Sequence, residues 1–478
     1  MRGRTYRFRP RVFPLSRPPD AGALLAALRG RRGLVALDSA AGWPRRFSLA
    51  AFDPLPVPAP ARLSDLRALV ARLRPAGGER PPGPFAGGFL GALSYDLGVA
   101  GEALALPRDP WGAPPIAGGL YTDFVVVEHA RRRAHLVLGD EPGDGRPPLA
   151  ARRDELAALL APATKAGGDG GNGADGARGF EALGPLERRV PPAAYRACIE
   201  ELRARIARGD LYQANLAHPF ECRTRGDPLD LYLRLRRANP APYMGFLRWE
   251  GGALLSASPE LLLELEPGRA RTRPIKGTAP RADDPRRDRA LAAALLASEK
   301  DLAELAMIVD LERNDLGRVA VPGSVRVEGL ATLRSYAGVH HLTADVTAVP
   351  APGVDAVRVL ASLFPGGSIT GAPKLASMCA IAELEREGRG FFSGSLGFID
   401  TRGRARFNIL IRTLVWRPRP SAGGGAGAAS AEGEVRYHVG GGITWSSSAA
   451  AEDEETLLKG ARLAQVLEEI TAPALEAR

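Results

Sequence analysis

The sequence predicts an α+β protein built mainly on antiparallel sheets. Three observations carry this. Hydrophobic residues make up 45% of the 478 residues and charged residues 25%, the balance of a chain that folds around apolar cores. Strand-like runs precede and follow groups of helical stretches instead of alternating with them one by one. No run is long and apolar enough to span a bilayer, so the apolar residues are there to be buried. The length suits two domains or one large composite.

In order along the chain, Gly33–Leu37 and Phe124–Val127 read as strands, and Leu63–Leu73 and Leu149–Leu160 as helices. Ala166–Gly179 is half glycine with no large apolar residue, the composition of a flexible linker. It divides the chain into an N-terminal domain (1–165), a linker (166–179) and a C-terminal domain (180–478). Tyr195, Ile199, Leu202 and Ile206 recur at helical spacing, and Gly209 closes that helix. Ala253–Ser256 and Leu261–Leu265 read as strands flanking Ser258-Pro259-Glu260. Leu291–Leu311 is a long helical stretch with a break expected near Ser298. Leu375–Glu387 and Glu452–Glu469 are further helices. Phe407–Trp416 and Glu434–Val439 are strands joined by a glycine-rich tip, Pro418–Gly433.

Charge and cysteine usage narrow the class. Lys+Arg 64 against Asp+Glu 54 leaves +10, yet the basic residues are spread along the chain without a block or interleaved aromatics, so a nucleic-acid scaffold is disfavoured. Cys198, Cys222 and Cys379 form no Cys-x-x-Cys pair, which argues against a disulfide framework or a cysteine zinc site. The basic N-terminus soon meets Pro10, Pro14, Pro18 and Pro19 and lacks a signal-peptide core. A soluble cytoplasmic protein is the expectation.

Lysine is rare here: Lys165, Lys276, Lys300, Lys374 and Lys459 are the only five among the 64 basic residues. Arginine stays protonated, whereas lysine can lose its proton and attack. Lys276 lies in Arg273-Pro-Ile-Lys-Gly-Thr-Ala-Pro-Arg281, where Pro and Gly restrain the backbone. It reads either as a solvated turn lysine or as a held nucleophile. Glu304 sits between Leu302 and Leu305, near the apolar face of its helix, as a boundary glutamate or one awaiting a cation. If the last helix starts near Ala449, then Glu452, Glu455 and Lys459 share a face. Its acids either serve the helix dipole or hold a hard divalent ion such as Mg²⁺. Gly366–Lys374 and Gly440–Ile443 read as glycine-rich turns, ordinary or anion-binding. Arg412, in the strand Phe407–Leu414, calls for a carboxylate partner from the protein or a ligand.

Taken together, several strings resemble the chorismate-utilising enzymes. They include GDLYQANL (209–216), NPAPYMGFL (239–247), SASPELLL (256–263), RPIKGTAPR (273–281) and ELAMIVDLERNDLGRV (304–319). VHHL (339–342), GGSITGAPK (366–374), GSLGFID (394–400), NILIRT (408–413) and GGGI with EDEETLLK (440–443, 452–459) complete the set. They span nearly all of residues 190–470 in colinear order. The resemblance implies a sandwich of large antiparallel sheets with helices outside. It implies that Glu304 and Glu455 bind Mg²⁺, with Glu452 a nearby ligand or water-holder, and that the metal grips the ring carboxylate of chorismate. Glu260 resembles the general acid that protonates the leaving 4-hydroxyl. Arg412 and the backbone of Gly440, Gly441 and Gly442 resemble the clamp on the enolpyruvyl carboxylate. Gln213, Thr278, His341, Thr370, Gly371 and Lys459 line the site by the same match.

Position 276 separates the branches. Pro-Ile-Ala-Gly-Thr marks anthranilate synthase component I, the alternative; Pro-Ile-Lys-Gly-Thr, present here, marks the aminodeoxychorismate branch of p-aminobenzoate and folate synthesis. That branch implies attack of Lys276 on ring carbon C2, loss of the 4-hydroxyl and addition of ammonia at C4, a transferase chemistry. Isochorismate and salicylate synthases carry Lys where Gln213 stands, so addition of water is disfavoured. No Gly-x-Cys-x-Gly turn surrounds a cysteine, so ammonia is expected from a glutamine amidotransferase partner. Leu37-Asp38-Ser39 and Arg46-Phe47-Ser48, completed by Pro240, Tyr243 and Met244, resemble the family's tryptophan pocket; a bound tryptophan there is either a feedback inhibitor or a structural fixture. The family's Asp-Ser-x-Pro before the last helix is Ser446-Ser447-Ser448-Ala449 here, which implies altered capping.

Overall fold

In the computed structural model, the described residues are 4–39, 47–99, 104, 106–140, 145–165, 179–336, 338–419 and 432–471. Arg46, linker residues 166–178 and tip residues 420–431 lie outside them. Two sheets dominate. The larger runs from Glu187–Arg188 through Gln213–Arg225, Glu432–Ile443, Thr413–Pro418, Gly252–Ser258 and Tyr243–Trp249. It continues through Val35–Asp38, Phe47–Ala51, Phe124–Glu128, Arg133–Asp140 and Tyr6–Pro14 to Leu73–Pro75. The smaller runs Ile275–Pro280, Val339–Ala348, Arg269–Arg273, Leu261–Glu266, Ala405–Asn408, Ser395–Asp400, Gly88–Leu93, Ile116–Tyr121. Only the Tyr6–Pro14/Leu73–Pro75 pair is parallel among the strand pairs of the described residues. Residues before and after 166–179 contribute strands to both sheets.

The period of two along the strands decides which core each residue enters. In Gly252–Ser258, Ala253, Leu255 and Ala257 face an outer layer with Leu24, Leu156, Leu231 and Leu463 from helices. Leu254 faces the other way, into a core shared by Leu49, Phe124 and Leu247 of the larger sheet and Leu90, Leu396 and Phe398 of the smaller. A third cluster buries the outer face of the smaller sheet against helices carrying Leu66, Leu305, Val309 and Leu360. The architecture is therefore a sandwich of two antiparallel sheets with helices outside.

Local chemistry sets the helix ends. Pro285–Leu296 and Glu299–Gly317 are separate helices, and the Ser298 side chain caps the second by accepting from Asp301 N at 3.3 Å. Gly209 follows helix Pro192–Ala207 at φ +86°. The last helix starts at Ala449. Its N-cap Ser448 makes no side-chain cap bond; Ser447 Oγ instead accepts from Thr444 N at 3.1 Å and donates to Glu452 Oε1 at 2.7 Å. No helix among the described residues is long and apolar enough to cross a membrane.

Two expectations need correction. Phe407–Trp416 is not one strand: Ala405–Asn408 belongs to the smaller sheet and Thr413–Pro418 to the larger, and Arg412 lies in the crossover at φ +50°. The apolar pattern runs on because residues on both sides of the crossover are buried. Gly440–Ile443 is not a turn but the end of strand Glu432–Ile443, paired residue by residue with Ala214–Ala217. Its glycines serve close approach.

Candidate active site

Two crossovers between the sheets lie side by side. One joins Gly252–Ser258 to Leu261–Glu266 through Pro259-Glu260; the other is Ile409–Arg412. Ser258 Oγ donates to Ile409 O at 2.5 Å, Ile409 N to Glu260 O at 3.1 Å, and Ala257 N to Arg412 O at 3.0 Å. The backbone of each crossover thus fixes the other, and both carry a charged residue inward.

Glu260 is 3% exposed and accepts from Ile275 N at 3.2 Å. Burial pushes its pKa up to about 7 against the opposing pull of the Ser368 hydroxyl, the Ile275 N–H, Lys276 and Arg412. A carboxyl that keeps its proton near neutrality is suited to general acid work. Burial also works against the charge of Arg412, with Glu260 the compensating anion. Arg412 makes no ion pair within 4 Å among the described residues, the state of a guanidinium set for a ligand anion. His341 Nδ1 bonds Thr278 Oγ1 at 3.0 Å, while its Nε2 is buried with no partner among the described residues. Burial, then the charge of Arg412, push its pKa down to about 3, so it is a neutral imidazole.

Lys276 enters from edge strand Ile275–Pro280, whose pairing with Val339–Ala348 is interrupted between Lys276 and Thr278. Gly277 sits there at φ +74°, where a Cβ would lie 3.0 Å from Asp301. The Lys276 side chain is 10% exposed, which removes the solvated-turn alternative. Burial holds its amine below the ordinary lysine value, and Lys459 adds to the shift while Glu304, Glu260 and Glu455 oppose it.

The glycine strand completes this wall. A Cβ on Gly442 would stand 3.0 Å from Lys276 Nζ, 2.3 Å from Gln213 Nε2 and 3.3 Å from Asn215 Oδ1. Any side chain there would displace all three groups. Gln213 is fully buried, and neither amide atom has a partner among the described residues. An unpaired buried amide costs about 1–3 kcal/mol, so such a group marks a place where a ligand completes the bonding. Thr370 Oγ1 returns to Gly366 O at 2.8 Å, and Gly371, at φ +143°, lets its strand lie against Gln213. Gly366–Thr370 is a short helical turn that walls the site.

Opposite lie three glutamates on two helices, each facing a lysine. Lys276 Nζ is 3.7 Å from Glu304, Lys300 Nζ 3.7 Å from Glu452, and Lys459 Nζ 2.7 Å from Glu455. Lys459 also donates to Gly440 O at 3.2 Å. A Cβ on Gly441 would come within 3.1 Å of Glu452 Oε2. No three acidic, His or Cys side chains among the described residues form a closed metal cage. Glu304, Glu452 and Glu455 nonetheless fit a hard cation that takes one or two protein carboxylates and completes its shell with water and substrate oxygens.

The arrangement brings Lys276, Glu260, Gln213, Thr278, His341, Arg412, Gly440–Gly442, Lys459 and the three glutamates to one place between the sheet ends. A family model described as chorismate binding enzyme matches residues 46–465. The chain belongs to that family. Aminodeoxychorismate synthase component 1 of Klebsiella aerogenes is 39% identical over 387 residues, covering 80% of this chain and 78% of that protein. Anthranilate synthase component 1 of Streptomyces coelicolor is 36% identical over 459 residues, covering 92% and 83%. The crystal structure of anthranilate synthase component I from Streptococcus pneumoniae superposes with a TM-score of 0.72 at 27% identity, covering 88% of this chain and 93% of that one.

Of the expected tryptophan-pocket residues, Tyr243 and Met244 lie on strand Tyr243–Trp249 of the larger sheet, beside Val35–Asp38, with Ser39 just beyond that strand. Met244 pairs with Asp38 and is buried; Ser39 Oγ donates to Phe47 O at 3.3 Å. Asp38 is held by Ser48 and Arg236. Tyr243 O accepts from Asn408 at 3.0 Å, and Pro240 is half-buried at the strand's approach.

Four residues without a role in the motif strings also stand here. Asn215 bonds Ser368 O through Nδ2 at 3.0 Å and turns its Oδ1 toward Gly442. Its two-residue spacing from Gln213 on one strand was the available signal. Lys300 faces Glu452. Glu312, 1% exposed, accepts from Thr272 at 3.0 Å, and burial, then Glu260, raise its pKa well above the carboxylate range. Asp315 pairs with Lys374 at 2.6 Å, tying helix Glu299–Gly317 to the glycine turn.

Proposed function

We propose that this protein is the chorismate-binding subunit of an aminodeoxychorismate synthase, converting chorismate and ammonia to 4-amino-4-deoxychorismate. The observation that carries the reading is Lys276, a buried amine with a lowered pKa beside the unpartnered Gln213 amide and the Gly442 backbone. Anthranilate synthase component I is the second reading, favoured by the similarity of that protein over 92% of this chain.

In the proposed reaction the neutral Lys276 amine forms a bond to ring C2. The ring double bonds shift, and the C4–O bond breaks as Glu260 gives its proton to the departing hydroxyl, releasing water. Ammonia then bonds to C4, the double bonds shift back and the C2–N bond breaks, freeing the Lys276 amine, and the proton lost from the new C4 ammonium returns to Glu260. Arg412 holds the enolpyruvyl carboxylate, and His341, neutral at working pH, offers its free Nε2. Gln213, whose amide atoms have no partner among the described residues, and Asn215, whose Oδ1 faces Gly442, line the wall beside Lys276. Glu304 and Glu455, with Glu452 beside them, would hold Mg²⁺. When bound, that ion supplies positive charge for the ring carboxylate as electron density moves onto it. The ammonia donor is proposed to be a glutamine amidotransferase subunit; relatives named component 1 fit such a division.

Mass spectrometry of products from chorismate, Mg²⁺ and ammonium tests the reading. Aminodeoxychorismate is the expected product; anthranilate with pyruvate would transfer the protein to the other branch.

A further inference from the structure

Glu304, Glu452 and Glu455 each face a lysine: Lys276, Lys300 and Lys459. The pairing is mutual: Glu455 feels all three lysines, and Lys300 feels all three glutamates. A divalent cation bound by the glutamates would place its charge close to the lysine ammonium groups that now face them, which is costly wherever burial lowers the effective dielectric. A lysine that moves away relieves part of that cost.

The three lysines are not equally free to move. Lys276 is 10% exposed on a strand, and Lys459 is tied both to Glu455 and to Gly440 O. Lys300 is 53% exposed, lies in the first turn of helix Glu299–Gly317, and meets Glu452 only at 3.7 Å, beyond hydrogen-bond range. Glu452, by contrast, is 4% exposed and held by Ser447 at 2.7 Å, so it stays in place when the lysine leaves.

We infer that Lys300 is a displaceable counter-ion of the cation site: it neutralises Glu452 while no divalent cation is bound and swings into solvent when one binds. This rests on the reading of the three glutamates as cation ligands. It is independent of which product the enzyme makes.

The test is titration of the full chain with Mn²⁺, followed by the electron paramagnetic resonance signal of the free ion, without chorismate or ammonia. Lys300→Gln removes the competing charge and should bind Mn²⁺ about two- to five-fold more tightly than the unaltered protein, the range expected from losing one exposed ion pair. Lys300→Arg keeps the charge and should bind as the unaltered protein does. Equal or weaker binding by Lys300→Gln would overturn the inference, since a lysine that only steadies Glu452 would give that result. So would absence of Mn²⁺ binding by both proteins. Product analysis stays unaffected by either outcome.

Discussion

The crossover wall and the helix wall of the site satisfy their charges in different ways. At the crossovers, backbone bonds between the two passages hold Glu260 and Arg412, and the groups facing inward lack partners: Arg412 forms no ion pair among the described residues, and Gln213 and His341 Nε2 are left open. On the helices, Glu304, Glu452 and Glu455 each already face a lysine. The first wall is pre-organised for a ligand that brings acceptors and negative charge. On the proposed reading, the second exchanges partners when a cation arrives, so fixed groups and exchangeable charge reside on different elements, and Lys276 touches both.

Substitutions can break each side in turn. Lys276→Ala removes the group the two walls share and should lower aminodeoxychorismate formation by at least about 10⁴-fold in steady-state assays, with chorismate binding by calorimetry retained. Glu260→Gln keeps the crossover backbone but removes the proton donor, and kcat should fall by about 10²–10⁴-fold. In the unaltered enzyme the same carboxyl predicts a loss of rate as pH rises through about 7, where Glu260 deprotonates. The sign for stability agrees. A carboxyl raised in the folded state favours folding while protonated in both states, and that contribution is lost as pH climbs from the ordinary carboxyl range to about 7. Denaturant titrations across that window measure it; a contribution from Glu260 that rises with pH would contradict the assignment.

How far the sequence disclosed this difference depends on local signals. The break at Ser298 and the helix start at Ala449 were legible because capping and periodicity act over a few residues. So were the glutamates and Lys276, through motif strings. The sheet change at Ile409–Arg412 was not, because an apolar alternation looks the same whether its neighbours belong to one sheet or two. A glycine triplet likewise reads as a turn; only the crowding of Gln213, Asn215 and Lys276 around Gly442 shows why a strand needs it. Lys300, Glu312 and Asp315 act through distant partners, which no spacing rule reveals.

Two smaller effects sharpen the contrast. Lys374→Met strands the buried Asp315 carboxylate and should cost about 3 kcal/mol in urea unfolding, loosening the glycine turn more than the helix glutamates. Arg412→Gln should raise KM for chorismate about 10- to 100-fold with a smaller change in kcat, since a charge-assisted bond to a ligand carboxylate contributes about 1.5–3 kcal/mol.

In the proposed reaction everything turns on a bond between the Lys276 amine and the ring. Intact-protein and peptide mass spectrometry after incubation with chorismate and Mg²⁺, with ammonia withheld and the reaction acid-quenched, tests it most directly. The expected result is a mass gain of chorismate less one water, localised to Lys276 and absent from Lys276→Ala. Unmodified Lys276 under these conditions, in protein that turns over chorismate fully once ammonium is added, would contradict it.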